Sequence, residues 1–529
     1  MVDDNFSLEV QVTSTVQVFP DSRSGEPTTI PLSIVDSTVS YFARTAGIWF
    51  YDPPSSPESS LSPSHLRTAL SKTLNSYRPW CGRLSYVVPQ KNGGYTKRYR
   101  RVQVTFNAGT DLGVTFVTAF SSRTLSDFLP SPAARRTDFK AWDGSQLTSA
   151  GLLPSTRMAL SSGSPSPDAP NLLVQITKFA CGSTSVGIAI SHGLSDAQGM
   201  CTFARDWASV SRTLYSLTDL PTPSPVFNPK LLDAAAAGDI DAESPDPALV
   251  QQARDLPFHR FDWYKEVPNQ PWPAHTPDDF DSTTDLSPSD PIPWEDWDTN
   301  APTSHLVLHF TPEEIQHLHA IASSDHNSKI SKHDALLAHI WTRINLARQL
   351  PASAVTYLDL TIGLRSRLSL PENFLGSPII IAAIPTVIPS TVSQYPKLSE
   401  IASRIRSYLE IFTPNAIGAF LHDSAFEISP QRLWRAFLGK KHILQTTWVG
   451  AGACYVDFVG RSRTGTEPPT LRYVQPEMGG DGLVLVIEGL GEKEGGHWTQ
   501  NGADILIYLA SDVMERLEKD PGLWGEGIY

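Results

Sequence analysis

Cysteine is scarce in this 529-residue chain: Cys81, Cys181, Cys201 and Cys454 are scattered and form no CxxC pair. That excludes a disulfide-stapled scaffold and fits reduced thiols in a reducing compartment. Long apolar runs are lacking as well. The longest, Ile379 to Ile384 and Leu483 to Ile487, fall far short of the roughly 20 residues that a membrane-spanning helix needs. The opening residues, Met1-Val2-Asp3-Asp4-Asn5, place acids where a secretory signal has basic residues followed by an apolar stretch. The sequence therefore predicts a protein of the cytoplasm. Basic charge is in deficit, 42 lysines and arginines against 55 acids for a net −13, which disfavours nucleic acid and anionic lipid as partners. A small polyanion could still meet the local pairs Arg365/Arg367 and Arg461/Arg463. There is no GxxxxGK[ST] loop, no strand-GxGxxG-helix fingerprint, no HExxH and no GxSxG, which weakens kinase, dehydrogenase, zinc-protease and serine-hydrolase readings.

What is present is a globular composition, 40% hydrophobic, 9% aromatic and 18% charged, enough for substantial cores. At about 150 residues per domain the length suggests two large halves. Fifteen of the 43 prolines fall between Pro221 and Pro302, and Asp278 to Asp298 holds eight acids and no base. The sequence thus reads as an N-terminal domain over 1–220, an extended, solvated crossover over 221–302 and a C-terminal domain over 303–529. Ser161 to Pro170 reads as a surface loop.

Period-four leucines Leu66, Leu70 and Leu74 predict a helix over Ser64 to Tyr77. Leu172 to Phe179 and Ser185 to Ser191 form a hairpin candidate turning at Gly182, with Val186, Ile188 and Ile190 on one face and His192 continuing that parity inward. Met200, Phe203, Trp207, Val210 and Leu214 then mark one helical stripe. In the second half, Lys332 to Arg348 is a helix with Ser331 as N-cap and Leu336, Ile340, Ile344 and Ala347 on its buried face. Leu483 to Ile487 and Ile505 to Leu509 read as buried strands, and Asp512 to Lys519 as a closing helix. Strands and helices mix in both halves, so the class is α/β.

The candidate chemistry lies in His192-Gly193-Leu194-Ser195-Asp196-Ala197-Gln198-Gly199, an HxxxDxxG pattern at the turn between strand and helix. HxxxD alone is expected about once by chance, and His275/Asp279 is such a match; requiring the glycine lowers the expectation to about 0.06. The bland alternative is a buried histidine satisfied by backbone, with Asp196 capping the helix. Nothing nearby supplies a third metal ligand. His497, after Gly495-Gly496, reads as a solvated surface residue.

These residues resemble the BAHD acyltransferases, the plant and fungal acyl-CoA-dependent family. Thr446-Thr447-Trp448, followed by Asp457-Phe458, is similar to the family's T-S-W stretch and DFGWG motif. Ile330 to Trp341, Gly363 to Gly376 and Ile30 to Asp36 match three further stretches. The resemblance implies a two-domain fold related to chloramphenicol acetyltransferase, with a mixed sheet flanked by helices in each domain and a tunnel at their interface. It implies acyl-CoA as co-substrate with no permanently bound cofactor, a small hydroxylated metabolite as acceptor, and a monomer. Site residues carried over are His192 as general base, Asp196 as its motif partner, Thr446 and Trp448 near the oxyanion, Ser331 and Arg461 toward CoA, and Gly199, Arg365, Asp457 and Gly460 as structural motif residues, with Asp457 pairing Arg365. The family usually turns the motif aspartate into a structural ion pair. Where the family has DFGWG this chain has Asp457-Phe458-Val459-Gly460-Arg461. That departure motivates an alternative, a metabolite-binding relative without acyl transfer. A thiol near pKa 8.5 leaves readily, so the reaction needs a base for the acceptor hydroxyl and donors for the oxyanion. A mostly neutral histidine can be that base, without an acyl-enzyme.

Overall fold

The computed structural model describes residues 9–22, 25–39, 44–53, 61–90, 93–131, 134, 140–148, 151–159, 168–216, 222–272, 276–277, 280, 284–324, 329–458, 471–490 and 496–524. Gly460, Arg461, Arg463 and the His275/Asp279 match lie outside the described residues. Two mixed sheets organise the chain. The first has six strands in the order Val10–Val18, Val114–Ser121, Leu172–Phe179, Thr184–Ser191, Arg44–Tyr51 and Leu471–Pro476. Its one parallel pairing joins Val114–Ser121 to Leu172–Phe179. The second has seven, in the order Ile379–Val387, Val355–Gly363, His442–Thr447, Leu483–Glu488, Ala503–Ala510, Thr303–Phe310 and Ala141–Asp143.

The two sheets exchange strands. Ala141–Asp143, from the N-terminal half, pairs with Thr303–Phe310, while Leu471–Pro476, from the C-terminal half, pairs with Arg44–Tyr51. The halves are therefore not separable at one point in the sequence.

The hairpin forms as its alternating pattern dictates: the strands pair antiparallel, with Val186, Ile188 and Ile190 fully buried and Gly182 at φ +87° in the turn. Helix Ala197–Ser216 lays Met200, Phe203, Trp207 and Val210 into the first core. Helix Lys332–Arg348 begins at Ser331 in a capping box with Asp334. A single buried face was expected; instead the helix is buried nearly all round, because helices Pro312–Ala322, Leu398–Ile411 and Ser511–Glu518 all pack on it. Of its buried polar side chains, Arg348 donates to the carbonyls of Gly439 and His442 at 2.9 and 2.7 Å, which ties the helix to the loop and strand start there.

The proline-rich segment is not the solvated crossing that its acids suggested. Phe261–Asp262 pairs with Leu433–Trp434 and Asp290–Pro291, and Trp263, Trp294, Phe261 and Phe437 form a core of their own. Its aromatic residues supply the apolar area that its proline and acid content obscured. Beneath them Arg432, fully buried, reaches Asp262 at 2.6 Å and Glu427 at 2.9 Å and donates to the Ser287 carbonyl at 2.9 Å. Replacing Arg432 by Ala leaves buried Asp262 without its cation and Glu427 with only Arg260 at 3.6 Å, and is expected to destabilise the protein by about 3–5 kcal/mol, read as a lowered urea midpoint.

Candidate active site

His192 sits one residue past strand Thr184–Ser191, where the chain turns into helix Ala197–Ser216. The turn is closed by Leu194 N–H to Ser191 O at 2.9 Å and Ser195 N–H to His192 O at 3.2 Å. Thr45 Oγ1 donates to Ser195 O at 2.7 Å, fixing the turn to the neighbouring strand. Asp196 Oδ1 accepts from Gly199 N–H at 3.0 Å and so caps the helix. Any Cβ on Gly199 would come within 2.5 Å of Ser195 Oγ, which is why the pattern ends in glycine.

Asp196 does not orient the imidazole. Its carboxylate turns into a bidentate pair with Arg365, at 2.5 and 2.8 Å, with both side chains about nine-tenths buried. Arg365 also donates to Phe374 O at 2.8 Å. The Asp457–Arg365 pair implied by resemblance is thus replaced. Asp457 lies instead beside Arg212, which donates to its carbonyl, and near the Tyr51 hydroxyl, while Phe458 packs edge-on against Tyr51 and Trp207.

Ser377 orients the imidazole, and the sequence reading missed it. Its Oγ lies 2.8 Å from His192 Nδ1 while its own hydroxyl donates to the His192 carbonyl. With that proton committed, Oγ can only accept from Nδ1–H, so Nε2 is left as the unprotonated nitrogen. Ser377 is in turn held by Asp36, whose Oδ1 accepts from its N–H at 2.6 Å. The preceding Gly376, at φ +125°, would bring a Cβ within 3.0 Å of that carboxylate. A signal for Ser377 existed: it directly follows the matched stretch ending at Gly376. Burial depresses the His192 pKa below its usual value, opposed by its own carbonyl and by the charge of Asp196. Burial likewise raises Asp36 to about 6, against the hydrogen bonds from Ser377 and Ser33.

His192 opens onto a cavity of about 300 Å³ between the halves, lined from the N-terminal side by Val35 and Thr38 and from the C-terminal side by Thr361, Ile380, Phe420 and Thr446. Thr446, half-buried on strand His442–Thr447, has a hydroxyl with no protein partner among the described residues and is free to donate. Trp448 does not line this cavity: it is 4% exposed and lies over Gly47 in the first core. Ser331 caps its helix, accepting from Asp334 N–H at 3.1 Å and Arg406 at 3.1 Å, also away from the cavity. His497 is exposed, as expected, beside Thr499 Oγ1 at 2.9 Å. All four cysteines are free thiols. Among the described residues no helix is long and apolar enough to cross a membrane.

The chain is similar to known proteins in sequence and in fold. Acyltransferase AFT15-1 of Alternaria alternata is 27% identical, the alignment covering 98% of this chain and 97% of the relative. Acyltransferase abl6 of Leptosphaeria maculans is 26% identical, with 98% of both chains covered. Among solved structures, TRI101 of F. sporotrichioides in complex with coenzyme A and T-2 superposes with a TM-score of 0.62 at 16% identity, covering 93% of this chain and 98% of that one. Vinorine synthase gives 0.58 at 17% identity over 96% of each chain. These likenesses establish the two-domain α/β fold. The sequence profile of the Transferase family matches residues 8–384, most of the chain and all of the His192 turn, and the protein therefore belongs to that family, the BAHD acyltransferases.

Proposed function

We propose that this protein moves an acyl group from a CoA thioester to a hydroxyl of a small secondary metabolite, with His192 as general base. The observation that carries the reading is the presence in one cavity of a neutral imidazole, its Nδ1 held by Ser377, and the free hydroxyl donor of Thr446. The related fold of TRI101, solved with coenzyme A and T-2, supports a CoA thioester and a small acceptor as the reactants here. His192 Nε2 takes the proton of the acceptor hydroxyl as its oxygen attacks the thioester carbonyl. The oxyanion so formed accepts from Thr446 Oγ1–H. Collapse breaks the C–S bond, and the CoA thiolate takes the proton back from the imidazolium. No acyl-enzyme forms. The base contributes roughly 10² to 10⁴ in rate and the hydroxyl donor roughly 10² to 10³. Trp448, packed in the first core, has no part in this scheme; Asp196 acts through the fold of the turn.

His192→Ala is expected to lower acyl transfer by roughly 10²- to 10⁴-fold with the thermal unfolding midpoint within a few degrees of wild type, followed by CoA thiol release and mass spectrometry of products across a panel of acyl-CoAs and alcohols. Wild-type rates in the variant would remove His192 as the base. Since only the neutral imidazole can accept a proton and burial lowers its pKa, the acid limb of kcat/KM is expected below the ordinary histidine value of about 6.5. Asp196→Asn separates structure from chemistry. It should lose about 3–5 kcal/mol of stability by leaving Arg365 buried and unpaired, and should shift the acid limb to still lower pH. It should not show the roughly 10⁴-fold kcat loss of an aspartate that orients a catalytic histidine.

A further inference from the structure

Two formally charged side chains stand on the wall of the His192 cavity, Glu427 and Arg435. The carboxylate of Glu427 is occupied: Oε1 accepts from Arg432 Nε at 2.9 Å and from Ile428 N–H at 3.2 Å, and Oε2 accepts from Ser287 Oγ at 2.6 Å with Arg260 at 3.6 Å. Arg435 differs. Among the described residues it forms no ion pair, and its one protein hydrogen bond runs from Nη1 to the His259 carbonyl at 3.2 Å. A guanidinium carries five N–H donors, so most of those on this cavity-lining side chain have no protein partner among the described residues. The rings of Phe258 and Phe420, also on the wall, flank it with centroids 5.5 and 5.7 Å away. Burial, and next the repulsion of Arg260, pull its pKa down to about 10, which leaves it cationic at neutral pH.

The carboxylates of Asp423 and Glu427 act on it only from beyond contact and are themselves paired with Arg260. A buried cation without a direct ion pair is costly, and a planar fork of donors in an apolar pocket selects a carboxylate in bidentate geometry. One unpaired cation balances one negative charge, and the nearby Glu427 repels a dianion such as a phosphate monoester. We propose that Arg435 receives a carboxylate inside the cavity, so that one of the two reactants meeting at His192 is an acid whose apolar or aromatic body lies against Phe258 and Phe420. The inference rests on the acyl-transfer reading above. The acid is either a hydroxy acid acceptor or an acyl group that ends in a carboxylate.

The test compares charged and neutral forms of each reactant. In one arm, 3-(4-hydroxyphenyl)propanoate and 12-hydroxydodecanoate are set against their methyl esters, by calorimetric binding and as acceptors with acetyl-CoA. In the other, malonyl-CoA is set against acetyl-CoA as donor. The expected result is a preference for the charged form in one arm of roughly 10- to 100-fold, which identifies the reactant that carries the acid. That preference falls to near unity in Arg435→Gln and is partly restored in Arg435→Lys, a pattern that a merely structural arginine would not give. Absence of a charge preference in both arms overturns the proposal, whether both forms act equally or neither acts; so does a preference that survives Arg435→Gln in a variant that still unfolds cooperatively. Acid-selective binding without any CoA release would instead sink the acyl-transfer reading alone. CoA release with esters as readily as with acids, and from acetyl-CoA as readily as from malonyl-CoA, would sink the carboxylate site alone.

Discussion

The buried pair between Asp196 and Arg365 is the contact on which the arrangement of the site depends. It ties the turn after the histidine strand to a loop from the other half, and the loop delivers Ser377 as well as Arg365. Two carboxylates from the N-terminal half, Asp196 and Asp36, hold this loop, one through a guanidinium and one through a backbone N–H. The imidazole is thus oriented by a hydroxyl that the N-terminal half has itself positioned. Buried ion pairs contribute little net stability compared with apolar packing, but they are severe on alternatives, since a slipped interface would strand both charges. Here that severity falls on the relative placement of the two walls of the cavity.

Much of this was legible in the sequence, for identifiable reasons. The hairpin, the helix after His192 and helix Lys332–Arg348 were readable because period and capping agree: alternation in the strand, a stripe in the first helix, and Ser331 with Asp334 at the start of the second. The inward parity of His192 followed from the strand before it. What escaped was set by partners distant in sequence. Whether Asp196 or Asp457 meets Arg365 is a question about which loops touch, and no local pattern contains it. Prolines and acids disguised the segment around Trp263 because composition averages over residues, whereas burial is decided one side chain at a time: Asp262 is buried only because Arg432, 170 positions later, is there. Arg435 belongs to no motif, and its significance comes wholly from what it does not touch.

The cavity combines two kinds of wall. Near His192 and Thr446 its polar groups are few; elsewhere it is mostly aliphatic and aromatic, interrupted by Glu427 and Arg435. Excluding water strengthens each of those few polar contacts. It also keeps the imidazole neutral, the form in which it is a base.

The exchange of strands between the sheets bears on how the chain is made. Strand Arg44–Tyr51, which carries Trp49 and Phe50, is complete early in synthesis, yet the segment that covers its outer flank, Leu471–Pro476, leaves the ribosome near the end. Until then an apolar strand presents unpaired amide groups, the geometry that recruits a neighbouring chain. Folding of the early half must therefore wait for, or be chaperoned until, the last tenth or so of translation. Severing the polypeptide between the halves would yield a fragment with a sticky border, not an autonomous unit.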